Sequence, residues 1–237
     1  MRRTLQPLLL DRAPRYREAA YAAIKDAILS RQLDPSEPLV EEKIAAALTI
    51  SRTPVREALA ILEHEQLIAP RGGRGLYVRE LTREEFVALF VANEAVEPTL
   101  ARRAAMRAAP EQIGAMREAV ARAQASAAER DSAAFLSASR AFHRLVGEAS
   151  GNGPLTAFVL SNEERADMYL LSANKVVDAA SMEASNREHA AILGAISQRD
   201  PEAAARLAIY HAQSLRERFA DLFRPNQEDV TLGAAAD

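Results

Sequence analysis

The sequence has no cysteine and no tryptophan, and only 9 glycines and 5% aromatic residues in a chain of 237. Without cysteine there is no disulfide framework, no thiolate nucleophile, no Cys-based zinc finger and no iron–sulfur cluster. No apolar run approaches the roughly 18 residues that a membrane-crossing helix needs. The opening stretch MRRTLQPLLLDRAPRY carries only a three-leucine patch, too short for a secretory leader. These absences point to a soluble, cytoplasmic chain. Lysine is scarce too: of the 30 basic residues only Lys25, Lys43 and Lys175 are lysine, and the rest are arginine. Alanine, by contrast, fills 50 positions, and it is the residue that loses least on entering a helix. A mostly α-helical protein is expected.

The formal net charge of −3 and pI of about 5.9 argue against a polyanionic partner only while the chain is taken whole. Residues 1–80 carry a net +2 and residues 81–237 a net −5. The texture changes at the same place. The first third holds Pro35, Pro38, Pro54 and Pro70 and the stretch Arg71-Gly72-Gly73-Arg74-Gly75, whereas residues 82–222 are glycine-poor and helix-periodic. We therefore expect two domains, 1–80 and 81–224, and a loose tail over 225–237.

In the first domain, Ala20, Ile24, Ala27 and Ile28 share one face of a helix expected over Tyr16 to Arg31. Asp34-Pro35-Ser36-Glu37-Pro38 breaks the chain. A short helix from Val40 to Leu48, a turn at Thr49-Ile50 and a third helix from Arg52 to His64 follow. Ser51 stands at the N-cap position of that third helix and Pro54 in its first turn. Val55, Leu59 and Leu62 form its apolar stripe, and Arg52 and Arg56 lie on another face beside Thr53. Cations in a first turn work against the helix dipole, so another need placed them there. A short helix, a tight turn and a capped helix is the arrangement whose second helix enters the major groove. Leu67-Ile68-Ala69 and Leu76-Tyr77-Val78, joined through Gly72-Gly73-Arg74, read as a β-hairpin wing whose Arg71 or Arg74 can reach a minor groove. The expectation is a winged helix-turn-helix that binds double-stranded DNA.

The second domain divides by periodicity into helices at about 83–107, 110–128, 131–150, 154–174, 181–199 and 201–222, punctuated by Pro110, Gly151-Asn152-Gly153-Pro154 and Pro201. Short connections make an all-α antiparallel bundle of six to seven helices. Of the four histidines, His64 ends the third helix at the surface. His143, His189 and His211 each fall on an apolar stripe of a different helix, and imidazoles converging from facing helices are how a bundle builds a metal site. Asn93 and Glu97 lie on the inner face of the first bundle helix with Phe86, Phe90 and Leu100, which leaves the interior polar enough for a ligand.

The run LVEEKIAAALTISRTPVREALAILEHEQLIAPRGGRGLYV resembles the DNA-binding domain of the GntR family of bacterial regulators over residues 16–80. The resemblance implies operator contacts by Ser51, Arg52, Thr53 and Arg56, with Gly73 and Arg74 on the wing. Thr49 stands where that family usually has glycine. AFHRLVGEASGN, then NREHAAILGAISQRDPEAA and a following histidine, resemble the FCD effector domain of the FadR subfamily over residues 83–222. That implies a transcriptional regulator, by default a repressor, which responds to an organic or sugar acid and binds a palindromic operator as a homodimer. It also implies a divalent metal, zinc or nickel, on His143, His189 and His211, with Ser139 at the position of the family's aspartate. The effector would sit among Asn93, Ser139, His143, His189 and His211. Asn93 replaces a frequent arginine. A three-histidine metalloenzyme and a protein-interaction module are the alternatives. No HExxH spacing occurs and only Glu97 could act as a base, so we expect no enzyme.

Overall fold

A computed structural model of the chain describes residues 13–30, 32–73, 75–172 and 177–220. The loose tail expected over 225–237 and the wing residue Arg74 lie outside the described residues. The chain divides into two compact units, Met1–Glu80 and Leu81–Asp237.

The first unit runs α1 (Ala13–Leu29), α2 (Glu41–Leu48), α3 (Arg52–His64), β1 (Ile68–Pro70) and β2 (Leu76–Val78). Ala20, Ile24 and Ile28 of α1 are buried along with Val55, Ala58, Leu59 and Leu62 of α3, so the expected stripes form the core. A polar clamp reinforces the packing of α1 on α3: Tyr21 donates its hydroxyl proton to Glu65 at 2.7 Å, and Lys25 donates to Tyr21 at 2.6 Å. The hairpin is antiparallel, with Ile68 opposite Val78 and Pro70 opposite Leu76. Its first strand starts one residue later than the sequence suggests. The Leu67 amide bonds the Leu62 carbonyl at 3.0 Å, at the end of α3, while the Leu67 carbonyl accepts from the Arg79 amide at 3.0 Å across the hairpin.

Thr49 closes α2 in the left-handed region at φ 56°, with its own amide on Ala46 and that of Ile50 on Ala45. A β-branched residue is strained there, and glycine is not. Thr49→Gly is therefore expected to stabilise this unit by about 1 kcal/mol, read as a higher midpoint in denaturant with DNA affinity unchanged.

The second unit is all helical: α4 (Arg83–Arg107), α5 (Pro110–Glu129), α6 (Ser132–Ser150), α7 (Gly153–Ser172), α8 (Ala179–Ser197) and α9 (Pro201–Ala220). That is six helices among the described residues, the lower of the expected counts. Their ends are closed by side chains. Thr82 and Glu85 form a capping box on α4, and Asp131 and Asp178 cap α6 and α8 by accepting from Ala134 and Ser181. At the far end of α4, Arg199 donates to the carbonyls of Ala105 and Ala108, which have no intrahelical partner. Gly147 brings α6 close against α7, since a Cβ there would meet the Thr156 methyl at 2.4 Å. Two apolar clusters result. One centres on Leu100, Met116, Phe142 and Ile196, the other on Phe86, Phe90, Phe135 and Phe219. The interior polar residues are buried with them.

Candidate functional site

On the first unit, the turn at Thr49-Ile50 and the extended Ser51 place the first turn of α3 at the surface. Ser51, Arg52, Thr53 and Arg56 are all exposed. Ser51 has the extended backbone of an N-cap, but its side chain makes no cap hydrogen bond, contrary to the sequence reading. The residue is exposed. The two arginines meet partners that the sequence did not reveal. Arg56 grips Glu41 with two bonds of 2.9 Å, and Arg52 reaches Glu42 at 2.7 Å and Glu41 at 3.4 Å. The Glu41 carboxyl is held below its ordinary value, first by the hydrogen bond from Arg56. The acidic first turn of α2 thus offsets the unfavourable dipole of α3 and lines both guanidinium groups up on one outer face.

At the hairpin tip, Gly72 and Gly73 take φ 59° and 67°, with open space where a side chain would stand. Their backbone can approach another surface closely. Arg71 is exposed, stacked over Tyr77 with 5.0 Å to the ring centre and paired with Glu80 at 3.1 Å. It is fixed within the wing rather than extended from it.

In the second unit, α6, α8 and α9 bring His143, His189 and His211 together. Their ring centres are 4.9 Å (His143–His189), 4.5 Å (His189–His211) and 5.4 Å (His143–His211) apart. All three are buried, and one ligand nitrogen from each lies within 4.8 Å of the others. The His189 and His211 Nε2 atoms face each other at 3.1 Å. His143 Nε2 and His189 Nδ1 are buried with no hydrogen-bond partner. Burial, joined by repulsion from neighbouring rings, holds His189 well below its ordinary value; burial lowers His211 as well, partly offset by a hydrogen bond to Glu188. The lowered values of His189 and His211, with unpartnered buried nitrogens on His143 and His189, suit a divalent cation, which takes the lone pair of a ring nitrogen.

Carboxylates surround these rings. Glu188 accepts from His211 Nδ1 at 2.7 Å, from Ser214 at 2.8 Å and from both terminal nitrogens of Arg218 at 2.7 and 2.9 Å. Burial opposes its ionisation, but these bonds, Arg218's first, hold the carboxyl at about 2. With Nδ1–H donating to the Glu188 carboxylate, His211 keeps a lone pair on Nε2, facing His189. On the other side Glu97 stands 3.5 Å from His143 Nδ1. Burial, helped by the nearby Glu163 charge and opposed by His143, pushes the Glu97 carboxyl up to about 7.

The remaining site residues divide between two roles. Ser139 lines a small cavity of about 30 Å³ with Phe90, Phe135, Glu163, Asp167 and Phe219. Asn93 is spent on its neighbours, donating to Glu163 and accepting from Asn162, both at 2.9 Å. The sequence reading missed Glu163, Glu188 and Arg218. A signal for the last existed: His211, Ser214 and Arg218 recur at helical spacing on one face of α9.

Residues 88–214 match the FCD domain, more than half of the chain, and residues 16–78 match the bacterial regulatory proteins of the gntR family. The Uxu operon transcriptional regulator of Escherichia coli is 27% identical over 227 residues, covering 88% of either chain. The HTH-type transcriptional repressor NanR of Cronobacter sakazakii is 28% identical over 214 residues, 81% of this chain and 80% of that one. Among solved structures, Escherichia coli McbR/YncC superposes with a TM-score of 0.76 at 16% identity, covering 88% of this chain and 99% of that one. A GntR transcriptional regulator from Rhodococcus gives 0.75 at 23% identity, covering 89% and 100%. At these identities the two structures speak for the fold.

Proposed function

The chain belongs to the GntR family of bacterial regulatory proteins with an FCD domain, and from that premise we propose a homodimeric, non-enzymatic repressor, released from a palindromic operator by an organic or sugar acid. Transcriptional regulation is the activity of the family. The operator contacts, the metal and the class of effector are the proposal.

Ser51, Arg52, Thr53 and Arg56 present donors from the first turn of α3 to a major groove, while Gly73 and Arg74 carry the wing toward the phosphates. Two copies double these contacts and impose two-fold symmetry on the site. The observation that carries the sensing role is the set of three buried imidazoles with unpartnered nitrogens on His143 and His189. His143, His189 and His211 would hold zinc or nickel, which supplies positive charge for an acid. Among the described residues lining the cavity at Ser139 there is no lysine or arginine to supply that charge. The effector would lie among Ser139 and the three histidines, with Asn93 acting through its neighbours.

The cavity has room for about two waters, and small ligands occupy several hundred Å³. Effector entry therefore separates the lining helices α4, α6, α7, α8 and α9, and it is this opened bundle that disfavours the DNA-bound state. Linkage makes the effect reciprocal: whatever factor the effector takes from DNA affinity, DNA takes from effector affinity.

The test begins with the full chain and a random duplex pool. Selected sites should be palindromic, with half-sites about one helical turn apart, and binding should weaken steeply with salt. A panel of organic and sugar acids is then screened by thermal shift with zinc and with chelator. A member that raises the melting temperature only with zinc, and releases the selected DNA, supports the proposal. Selection of no palindrome overturns the operator reading. Stabilisation by an acid equally well in chelator overturns the metal's part.

A further inference from the structure

Resting on the metal reading above, we propose that Glu163 of α7 supplies the carboxylate that Ser139 lacks, so that the divalent cation is held by Glu163 together with His143, His189 and His211. Four observations lead there.

The ligand atoms of Glu97, His143 and Glu163 lie within 4.8 Å of one another, and His143 also belongs to the three-histidine group. The two groups share the His143 ring, which meets Glu97 at Nδ1 and whose Nε2 is buried with no hydrogen-bond partner. Glu163 and Ser139 face the same cavity, so a carboxylate arriving from α7 serves the space that a longer acidic side chain at Ser139 would enter.

Charge gives the third observation. Glu97, Glu163 and Asp167 are all buried, and Arg140 pairs with Asp167. Among the described residues neither Glu97 nor Glu163 has an ion pair with lysine or arginine. Arg140 reaches Glu163 with its charge but makes its ion pair with Asp167, and a buried carboxylate with no direct ion pair is costly until a cation joins it.

The fourth concerns orientation. Asn162 donates to Asn93, and Asn93 donates to Glu163 Oε1. That chain fixes the carboxylate as an outer hydrogen bond fixes a metal ligand, leaving Oε2 for the cation. Asn93 is thus a positioning residue. Glu97 differs from Glu163 in meeting His143 at Nδ1, the side from which a carboxylate orients the ring.

The experiment is zinc binding to the full chain, stripped with chelator and titrated calorimetrically. Wild type, Glu163→Gln, Glu163→Asp, and Glu163→Gln combined with Ser139→Asp are compared. Glu163→Gln keeps an acceptor for Asn93 and should weaken zinc at least about tenfold. Adding Ser139→Asp should restore most of that loss, and Glu163→Asp should fall between. The melting temperature gives a second readout whose sign a purely structural role would not reverse. In chelator Glu163→Gln should melt at or above wild type, because a buried like charge is gone; in zinc it should melt below. If Glu163→Gln does not fold, Glu163→Asp carries the titration. Equal zinc affinity in wild type and the Glu163 variants overturns this inference and leaves the histidine site standing. Failure of wild type to bind zinc overturns the metal reading itself, and this inference with it.

Discussion

A chain carrying Arg52→Ala and Arg56→Ala is expected to lose at least about a hundredfold in affinity for its selected DNA while melting within a degree or two of wild type. The two halves of that result have separate causes. Both side chains are mostly exposed, at 52% and 66%, and exposed ion pairs with Glu41 and Glu42 add little to stability. Removing two cations from a first turn also relieves their conflict with the helix dipole. DNA binding is different, because a well-placed arginine on a base or phosphate counts for about tenfold and is repeated in each half-site. Glu41 and Glu42 hold the guanidinium groups in place beforehand, so little side-chain freedom is lost on binding. The salt dependence separates arginines that read bases from arginines that neutralise phosphates. For every phosphate that the variant leaves unneutralised, the slope of log affinity against log salt should become shallower by about 0.9. An unchanged affinity would mean that the arginines serve only to pair with α2, and the recognition face would have to be sought elsewhere.

The sequence was most legible where local physics and tertiary packing agree. Residues 52–64 form α3 with the expected ends because Val55, Leu59 and Leu62 recur at helical spacing behind a proline in the first turn. The glycines at the wing tip are needed there, since Gly72 and Gly73 both have positive φ. The three histidines were found by the same periodicity, which says which face a residue takes but not what it meets. The partners of those residues escaped because they come from other helices. Glu41 is 15 residues before Arg56, Glu188 is 30 before Arg218, and Asn93 is 70 before Glu163. Helix α7 hid its role most completely. It buries Thr156, Asn162, Glu163 and Asp167 together with Val159, Ala166, Met168 and Leu170, so polar and apolar residues share its inner surface and no clean stripe marks it. Ser139 marks the place of the family's aspartate, and the carboxylate that lines the same cavity, Glu163, comes from α7, where no stripe announced it.

Glu188→Ala should destabilise the second unit by about 3 kcal/mol and weaken zinc by about ten- to a hundredfold, two consequences of one carboxylate. The stability loss arises because Arg218, His211 and Ser214 all donate to Glu188, so truncation leaves a largely buried guanidinium without its counter-charge. Its pH dependence has a defined sign. The carboxyl is held at about 2 in the folded state against an ordinary 4.5, so its contribution is fully present above about 4.5 and is lost as pH falls through about 2. The gap between wild type and Glu188→Ala should close over that window. The metal effect has another origin. Glu188 accepts a hydrogen bond from His211 Nδ1 and so keeps the proton there and the lone pair on Nε2; without it the ring is free to move its proton to Nε2 and to turn. Arg218→Ala tells the two apart. It removes the guanidinium but leaves the bond from His211 to Glu188, so it should lower stability while changing zinc affinity little. Equal zinc losses in the two variants would mean that the whole ion-paired network, rather than the single bond to His211, organises the site.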